Sequence, residues 1–175
     1  PLYIDDTGGI SIAQIAARSR RMKREKGIGL IVVDYLQLVE SSRRAENRVQ
    51  EISEVTKGLK ALAKELNVPV MALSQLSRGV DSRDDKRPVL SDLRESGSIE
   101  QDADVVMFVY REEYYLKNRE PDIGSSEHAA WMEKMERALN RAEIMVEKHR
   151  HGPTNKVDLF FDQRFTRFSD LAVDN

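Results

Sequence analysis

IGLIVVDYLQLV, residues 28 to 39, decides the fold. Its first six residues form a near-continuous apolar run of strand length, rich in β-branched side chains. Such a run predicts a strand buried on both faces, the kind found in parallel sheets covered by helices. The run ends on Asp34. A carboxylate at the end of a buried strand costs free energy unless something outside the core compensates it, so Asp34 is the first candidate for chemistry.

The segments on either side support this reading. Ser11 fits the N-cap of a helix over residues 11 to 26, with Ile12, Ile15, Ala16 and Met22 on one stripe and Gly27 at its end. Residues 2 to 4 make a short strand candidate, stopped by Asp5, Asp6 and the Gly8-Gly9 pair. After a charged loop over residues 41 to 46, Val49, Ile52, Val55, Leu59, Leu62 and Leu66 mark a helix from about residue 47 to 66, ended by Asn67 and Pro69. Residues 70 to 73 form the next strand, which finishes at Ser74-Gln75. A polar stretch over residues 77 to 88 has no periodicity and is expected to be a mobile loop.

Residues 91 to 101 suggest a short helix or turn, and residues 105 to 109 a third buried strand. A polar helix running to about Arg141 carries Trp131, Met135 and Leu139 on one face, which suits packing. Residues 144 to 146 and 157 to 161 form a closing hairpin about Gly152-Pro153. The expected fold is therefore α/β: a mixed, mostly parallel sheet flanked by helices, with a C-terminal antiparallel hairpin. Ligands sit at the carboxyl ends of the strands in such sheets, and that places Asp34 and Gln75 on one rim.

Composition narrows the function. With 28 Lys+Arg against 30 Asp+Glu in 175 residues, the net charge is −2, so any nucleic-acid contact must be local. There are no cysteines, which excludes disulfides and thiolate metal sites. No apolar run is long enough for a transmembrane helix, and the chain is expected to be soluble and cytoplasmic. PLYIDDTGG begins as if in mid-passage, so the sequence is expected to be a piece of something longer.

A strand of four apolar residues followed by Asp is a frequent way to build a Mg²⁺-nucleotide site, although a turn role explains the same pattern. Gln75 offers a neutral amide at the next strand end, where it can sense a phosphate or simply end a strand. No G-x-x-x-x-G-K-[ST] occurs in the chain, so a phosphate loop serving Asp34 would lie before residue 1. Lys148 and Arg150 by themselves suggest a solvated strand edge. His149 and His151 lack a third metal ligand. The basic run from Arg18 to Lys26 suits the wet face of a helix. In DLRESG, Ser91 and Asp92 would serve a helix N-terminus.

LYIDDTGG, LIVVDYLQLV, EISEVTKGLKALAKELNVPVMALSQLSR, DLRESGSIEQDADVVMFVYR and EKHRHGP, in that order, resemble the C-terminal motor domain of the DnaB-type hexameric replicative helicases. The resemblance covers nearly the whole chain; residues 117 to 142 are its least typical part and look like a helical insertion. It implies a RecA-like ATPase domain, partial over residues 1 to 175 because the Walker A strand and loop are absent. The implied activity is ATP-driven translocation on single-stranded DNA that unwinds duplex, with ATP and Mg²⁺ as cofactors. The implied partners are the other subunits of a homo-hexamer, a primase and a helicase loader.

On this resemblance Asp34 is the Walker B aspartate, reaching Mg²⁺ through water, and Gln75 couples nucleotide state to the DNA-facing loops. Arg94, Glu95 and Gly97 belong to the loop that touches the DNA backbone. Lys148 and Arg150 form the basic pair that reaches the nucleotide of the neighbouring subunit. The glutamate that activates water would lie upstream, so the chain alone is expected to be inactive as an ATPase. A RecA-like recombinase or signalling ATPase fits DLRESGSIEQDAD poorly. A non-catalytic interaction module without a phosphate loop is the alternative.

Overall fold

A computed structural model describes residues 1–41, 47–93 and 97–171. The chain folds as two compact units: Pro1–Ser77 with Leu90–Ala103, and Arg78–Val89 with Asp104–Asn175.

In the first unit, helix α1 (Ile12–Lys26) begins where Ser11 predicts. The Ser11 hydroxyl accepts from the Gln14 amide, and the Gln14 side chain accepts from the Ser11 amide at 2.9 Å, a reciprocal cap of about 1 kcal/mol. Gly27 closes the helix at φ 65°, the left-handed conformation that glycine adopts without strain. Helix α2 (Arg48–Leu66) is capped by Asn47 and closed by Asn67 at φ 49°. Its buried residues Ile52, Val55, Leu59 and Leu62 form the centre of the unit, and the helix packs on α1, on α3 (Gly97–Asp102), on strand β2 (Val70–Ala72) and on the 3-10 turn Leu36–Leu38.

Two features bring α1 and α2 together. Gly58 leaves room for Ile12, whose side chain occupies the space a Cβ would need. Arg20 donates two hydrogen bonds, at 2.7 and 2.8 Å, to the Glu65 carboxylate.

Strand β1 (Ile31–Val33) pairs in parallel with β2, Val33 opposite Ala72. The parallel element of the expected α/β fold is therefore present, but these strands are not buried on both faces. Ile31 and Val33 are buried, whereas Leu30, Val32, Met71 and Leu73 each leave 45–55% of their surface exposed. Apolar content alone does not tell which face of a strand another layer covers. Residues 2 to 4 are not a strand either: Leu2 and Ile4 are more than 80% exposed and no ladder partner lies beside them among the described residues. Most of the loop expected at residues 41 to 46 lies outside the described residues.

The second unit is a four-stranded antiparallel sheet in the order β3-β4-β5-β6: Val105–Tyr110, Arg141–His149, Asn155–Asp162 and Arg167–Asp170. The expected hairpin is its β4–β5 pair. The third predicted strand, β3, lies antiparallel to β4 and alternates, with Val106, Phe108 and Tyr110 buried and Val105, Met107 and Val109 exposed. The stretch over residues 77 to 88, expected to be a mobile loop, is pinned. Arg87 donates to both oxygens of Glu143 at 3.0 and 2.8 Å and stacks on the Tyr110 ring, and Val80 and Lys86 are buried.

Between β3 and β4 stand α4 (Glu112–Lys117) and α5 (Ser126–Ala138). Glu113 is 1% exposed, yet its carboxylate is fully engaged. Lys117 Nζ lies 2.5 Å away, the Asn140 amide donates at 3.1 Å, and Arg111 lies 3.8 Å away. Burial raises the Glu113 pKa, but these donors outweigh it and hold the group below the usual range. The Trp131 indole donates to the Leu116 carbonyl at 3.0 Å, so Trp131 packs as expected. Leu139 does not. It follows the last residue of α5, off the helical face, and is half exposed.

Candidate functional site

The backbone ladder carries Asp34 and Gln75 to the same end of the β1–β2 pair. Beyond the last strand residues, the Leu73 amide donates to the Val33 carbonyl at 2.9 Å and the Leu36 amide donates to the Leu73 carbonyl at 2.9 Å. Asp34 lies within this crossover, at the carboxyl end of β1, and its peptide bond to Tyr35 is cis. Its side chain is exposed and makes no hydrogen bond or ion pair among the described residues. Gln75, also exposed, follows β2 by three residues.

Gln37 joins them, a residue the sequence reading passed over. Its side-chain Nε2 donates to the Ser74 hydroxyl at 3.1 Å and to the Gln75 carbonyl at 3.5 Å, and its Oε1 accepts from the Gln75 amide at 3.3 Å. Its own carbonyl accepts from Arg48 at 2.6 Å. Gln37 is the carboxamide within YLQLV, but nothing local in the sequence marks its partners 37 and 38 positions away.

Asp5 belongs to the loop that precedes α1. Hydrogen bonds from Thr7 and from Arg18 pull the Asp5 carboxyl down to about 2; Thr7 ties it to the neighbouring chain and Arg18 ties it to α1.

Arg94 and Glu95 lie outside the described residues. The described residues on either side of them are anchored in the first unit. On one side Leu93 is buried and the Ser77 amide donates to the Asp92 carbonyl at 2.9 Å. On the other, Ile99 is buried and Thr56 of α2 donates to the Asp102 carboxylate at 2.7 Å. Gly97 opens α3, and a Cβ there would meet nothing within 4 Å.

In the second unit Lys148 lies near the end of β4, opposite Val106, and Arg150 follows the strand. The Arg150 amide donates to the Asp104 carbonyl at 2.8 Å, and its guanidinium stands 3.4 Å from the Asp104 carboxylate. Asp104 is a second residue that sequence reasoning missed. In the turn beyond, Gly152 lets the exposed His149 imidazole fold over it, and a Cβ there would turn that ring aside.

No group of three or more His, Cys, Asp or Glu side chains able to hold a metal occurs among the described residues, His149 and His151 included. The exposed carboxylate of Asp34 nevertheless suits Mg²⁺. That ion uses one or two carboxylates together with substrate phosphates and retained water, not a cage made of protein alone. No helix among the described residues is long and apolar enough to cross a membrane.

A parallel pair carrying an exposed carboxylate and an amide-bearing turn at its carboxyl end marks an α/β domain with polar residues on the rim where such sheets take ligands, and the solved structures it matches make that domain RecA-like. Solved structures share the fold. One described as "The Structure Of A DnaB-Like Replicative Helicase And Its Interactions With Primase" matches 97% of this chain and 38% of its own, with TM-score 0.81 and 41% identity. A second, described as an ATPase domain, matches 94% of this chain and 52% of its own, with TM-score 0.78 and 41% identity.

Among curated relatives, the replicative DNA helicase DnaB of Rickettsia conorii is 58% identical over 171 residues, which is 98% of this chain and 35% of that protein. The DnaB of Geobacillus stearothermophilus is 50% identical over 171 residues, 97% of this chain and 34% of its own length. The chain thus spans about a third of the relatives it matches. The family described as DnaB-like helicase C terminal domain matches residues 1–170, and the chain belongs to that family.

Proposed function

We propose that this chain is the C-terminal part of a hexameric replicative helicase that moves along single-stranded DNA and unwinds duplex, driven by ATP hydrolysis. The observation that carries the proposal is the exposed Asp34 carboxylate at the end of β1, beside the Gln75 turn at the end of β2. The fit to DnaB-like relatives over nearly the full chain supports it.

In this reading Asp34 would hold Mg²⁺, which would supply charge neutralisation at the phosphates of ATP. A rigid strand end keeps the carboxylate in place, so little reorganisation is needed when charge develops. Gln75 sits where a neutral amide can respond to the terminal phosphate without adding charge. Lys148 and Arg150 serve the nucleotide of the adjacent subunit, where a fixed cation stabilises the charge of the transferring phosphoryl group. Arg94, Glu95 and Gly97 contribute the DNA-facing loop, with Arg94 paired to phosphate and the backbone at Gly97 free to approach it.

By itself the chain contains no G-x-x-x-x-G-K-[ST] and should not turn over ATP. A homo-hexamer located in the cytoplasm, working with a primase and a helicase loader, completes the proposal. The solved neighbour whose description names primase favours the first of those partners.

Mixing two inactive variants of the full-length protein tests the split site. Asp34→Asn removes the carboxylate from one side of an interface, and Arg150→Ala removes the cation from the other. In mixed rings, an interface that takes Asp34 from one subunit and Arg150 from its neighbour is intact, so ATPase activity should reappear on mixing. Activity of the mixture that never exceeds that of the separate variants rejects the trans role of Arg150.

A further inference from the structure

We infer that Gln37 is a positioning residue that holds the Gln75 turn in register with the Asp34 strand end, so that a displacement at one is passed to the other. The inference rests on the role proposed above for Gln75.

The geometry is that of a side chain standing in for a peptide unit. The backbone ladder between the two strand ends stops after Val33–Leu73 and Leu73–Leu36. From there the Gln37 carboxamide continues it, accepting from the Gln75 N–H at 3.3 Å and donating toward the Gln75 C=O at 3.5 Å. The same Nε2 binds the Ser74 hydroxyl at 3.1 Å, so both residues of the turn are held by one amide.

A carboxamide offers a donor and an acceptor side by side in one rigid plane, as a peptide edge does; a carboxylate lacks the donor and an ammonium the acceptor. Gln reaches the turn from a 3-10 segment that is itself fixed at both ends. The Leu36 amide is bound to Leu73, and the Gln37 carbonyl accepts from Arg48 of α2. Gln37 lies three residues after Asp34, so the whole path from the carboxylate to the Gln75 backbone runs through one short turn and one side chain. Without Gln37, Ser74 Oγ would retain only a 3.4 Å contact with the neighbouring Gln75 carbonyl, and the Gln75 amide would lose its partner.

Two measurements test this. In the 175-residue chain, Gln37→Ala should speed amide hydrogen exchange at Gln75 by about tenfold or more, the loss of one hydrogen bond of roughly 1.4 kcal/mol. Exchange at Val55, in the centre of α2, should keep its wild-type rate. Gln37→Glu keeps the acceptor and should restore part of the protection at Gln75. Unchanged exchange at Gln75 in Gln37→Ala overturns the clamp.

In the full-length protein, the ratio of DNA-stimulated to basal ATPase is measured for Gln37→Ala, Gln75→Ala and the double variant. Both single variants should lose the stimulation, and the double variant should be no worse than Gln75→Ala alone, because the two residues act in series. Loss in Gln75→Ala with full stimulation retained in Gln37→Ala overturns the inference and leaves the Gln75 reading standing. Full stimulation in Gln75→Ala overturns that reading, and the relay falls with it.

Discussion

Gly58→Ala is expected to destabilise the first unit although it places a better helix former in the middle of α2. In an ordinary helix interior the change gains about 0.5–1 kcal/mol. Here the new Cβ would overlap Ile12 Cγ1, 3.1 Å from Cδ1 and 3.7 Å from Cβ. Cγ1 is near the root of the side chain, so relief requires either a rotamer change at a residue 6% exposed or a shift of α1 against α2. Overpacking of this kind costs about 1–3 kcal/mol, which leaves a net loss of about 1 kcal/mol.

Ile12→Ala should cost about 2–5 kcal/mol by itself, through the cavity it leaves. In that background the obstruction is gone, and Gly58→Ala should become stabilising by about 0.5–1 kcal/mol. The reversal of sign is the diagnostic. Urea unfolding followed by far-ultraviolet circular dichroism reads helix content, most of it in α1 and α2 for this unit, and gives the four stabilities of the cycle. Gly58→Ala with the same effect in both backgrounds would refute the close-approach argument.

Other expectations concern the site and the charge network. Asp34→Asn in the full-length protein should lower kcat for ATP hydrolysis strongly with the fold intact; a loss smaller than about threefold, under 1 kcal/mol of barrier, would make Asp34 structural only. Arg94→Ala should weaken single-stranded DNA binding equally for two unrelated oligonucleotides and flatten its salt dependence; an unchanged slope rejects the phosphate contact. Hydrogen bonds from Arg87 and then Lys156 hold the Glu143 carboxyl below its usual range despite burial. A depressed pKa contributes stability that is complete above the unfolded value of about 4.3 and is lost as pH falls through the folded value. Thermal unfolding followed by Trp131 fluorescence should therefore fall less steeply below about pH 4.3 in Glu143→Gln than in the wild type; identical acid profiles would exclude this network as a source of the loss.

The ends of α1 and α2 were the most legible part of the sequence, because they are written in single residues. Ser11, Gly27, Asn47 and Asn67 all stand where the caps are found. Helix α4 has no side-chain cap and was not foreseen, and α5 ends at Ala138, short of the expected Arg141. Strand positions were legible too, but what covers them was not. Val32 and Met107 are as apolar as Ile31 and Phe108, and only the arrangement of neighbouring layers separates exposed from buried. Polar clamps were the hardest to foresee. Gln37, Asp104 and the Arg87–Glu143 pair join residues 38, 46 and 56 positions apart in sequence, and no local pattern marks a partner at that distance. Asp34 and Gln75 could be placed because a strand end is a local property and the rim follows from topology.

The excursion between β3 and β4 is pinned at its two feet. Glu113 near its start accepts the backbone amide of Asn140 at its end, and Asn140 in turn receives the Phe161 amide at 2.7 Å, which fastens the exit to β5. Everything between those points is a closed loop whose ends are already brought together, so a change in its length does not reach the sheet. Doubling such a loop adds only about 0.6 kcal/mol of closure entropy. Its tip, around Ile123 at 87% exposure and Gly124 at φ 91°, packs against nothing that an added residue would displace. The tip is thus a natural graft point, where a fluorophore, an affinity tag or a small domain could be carried by the chain without altering the register of its strands.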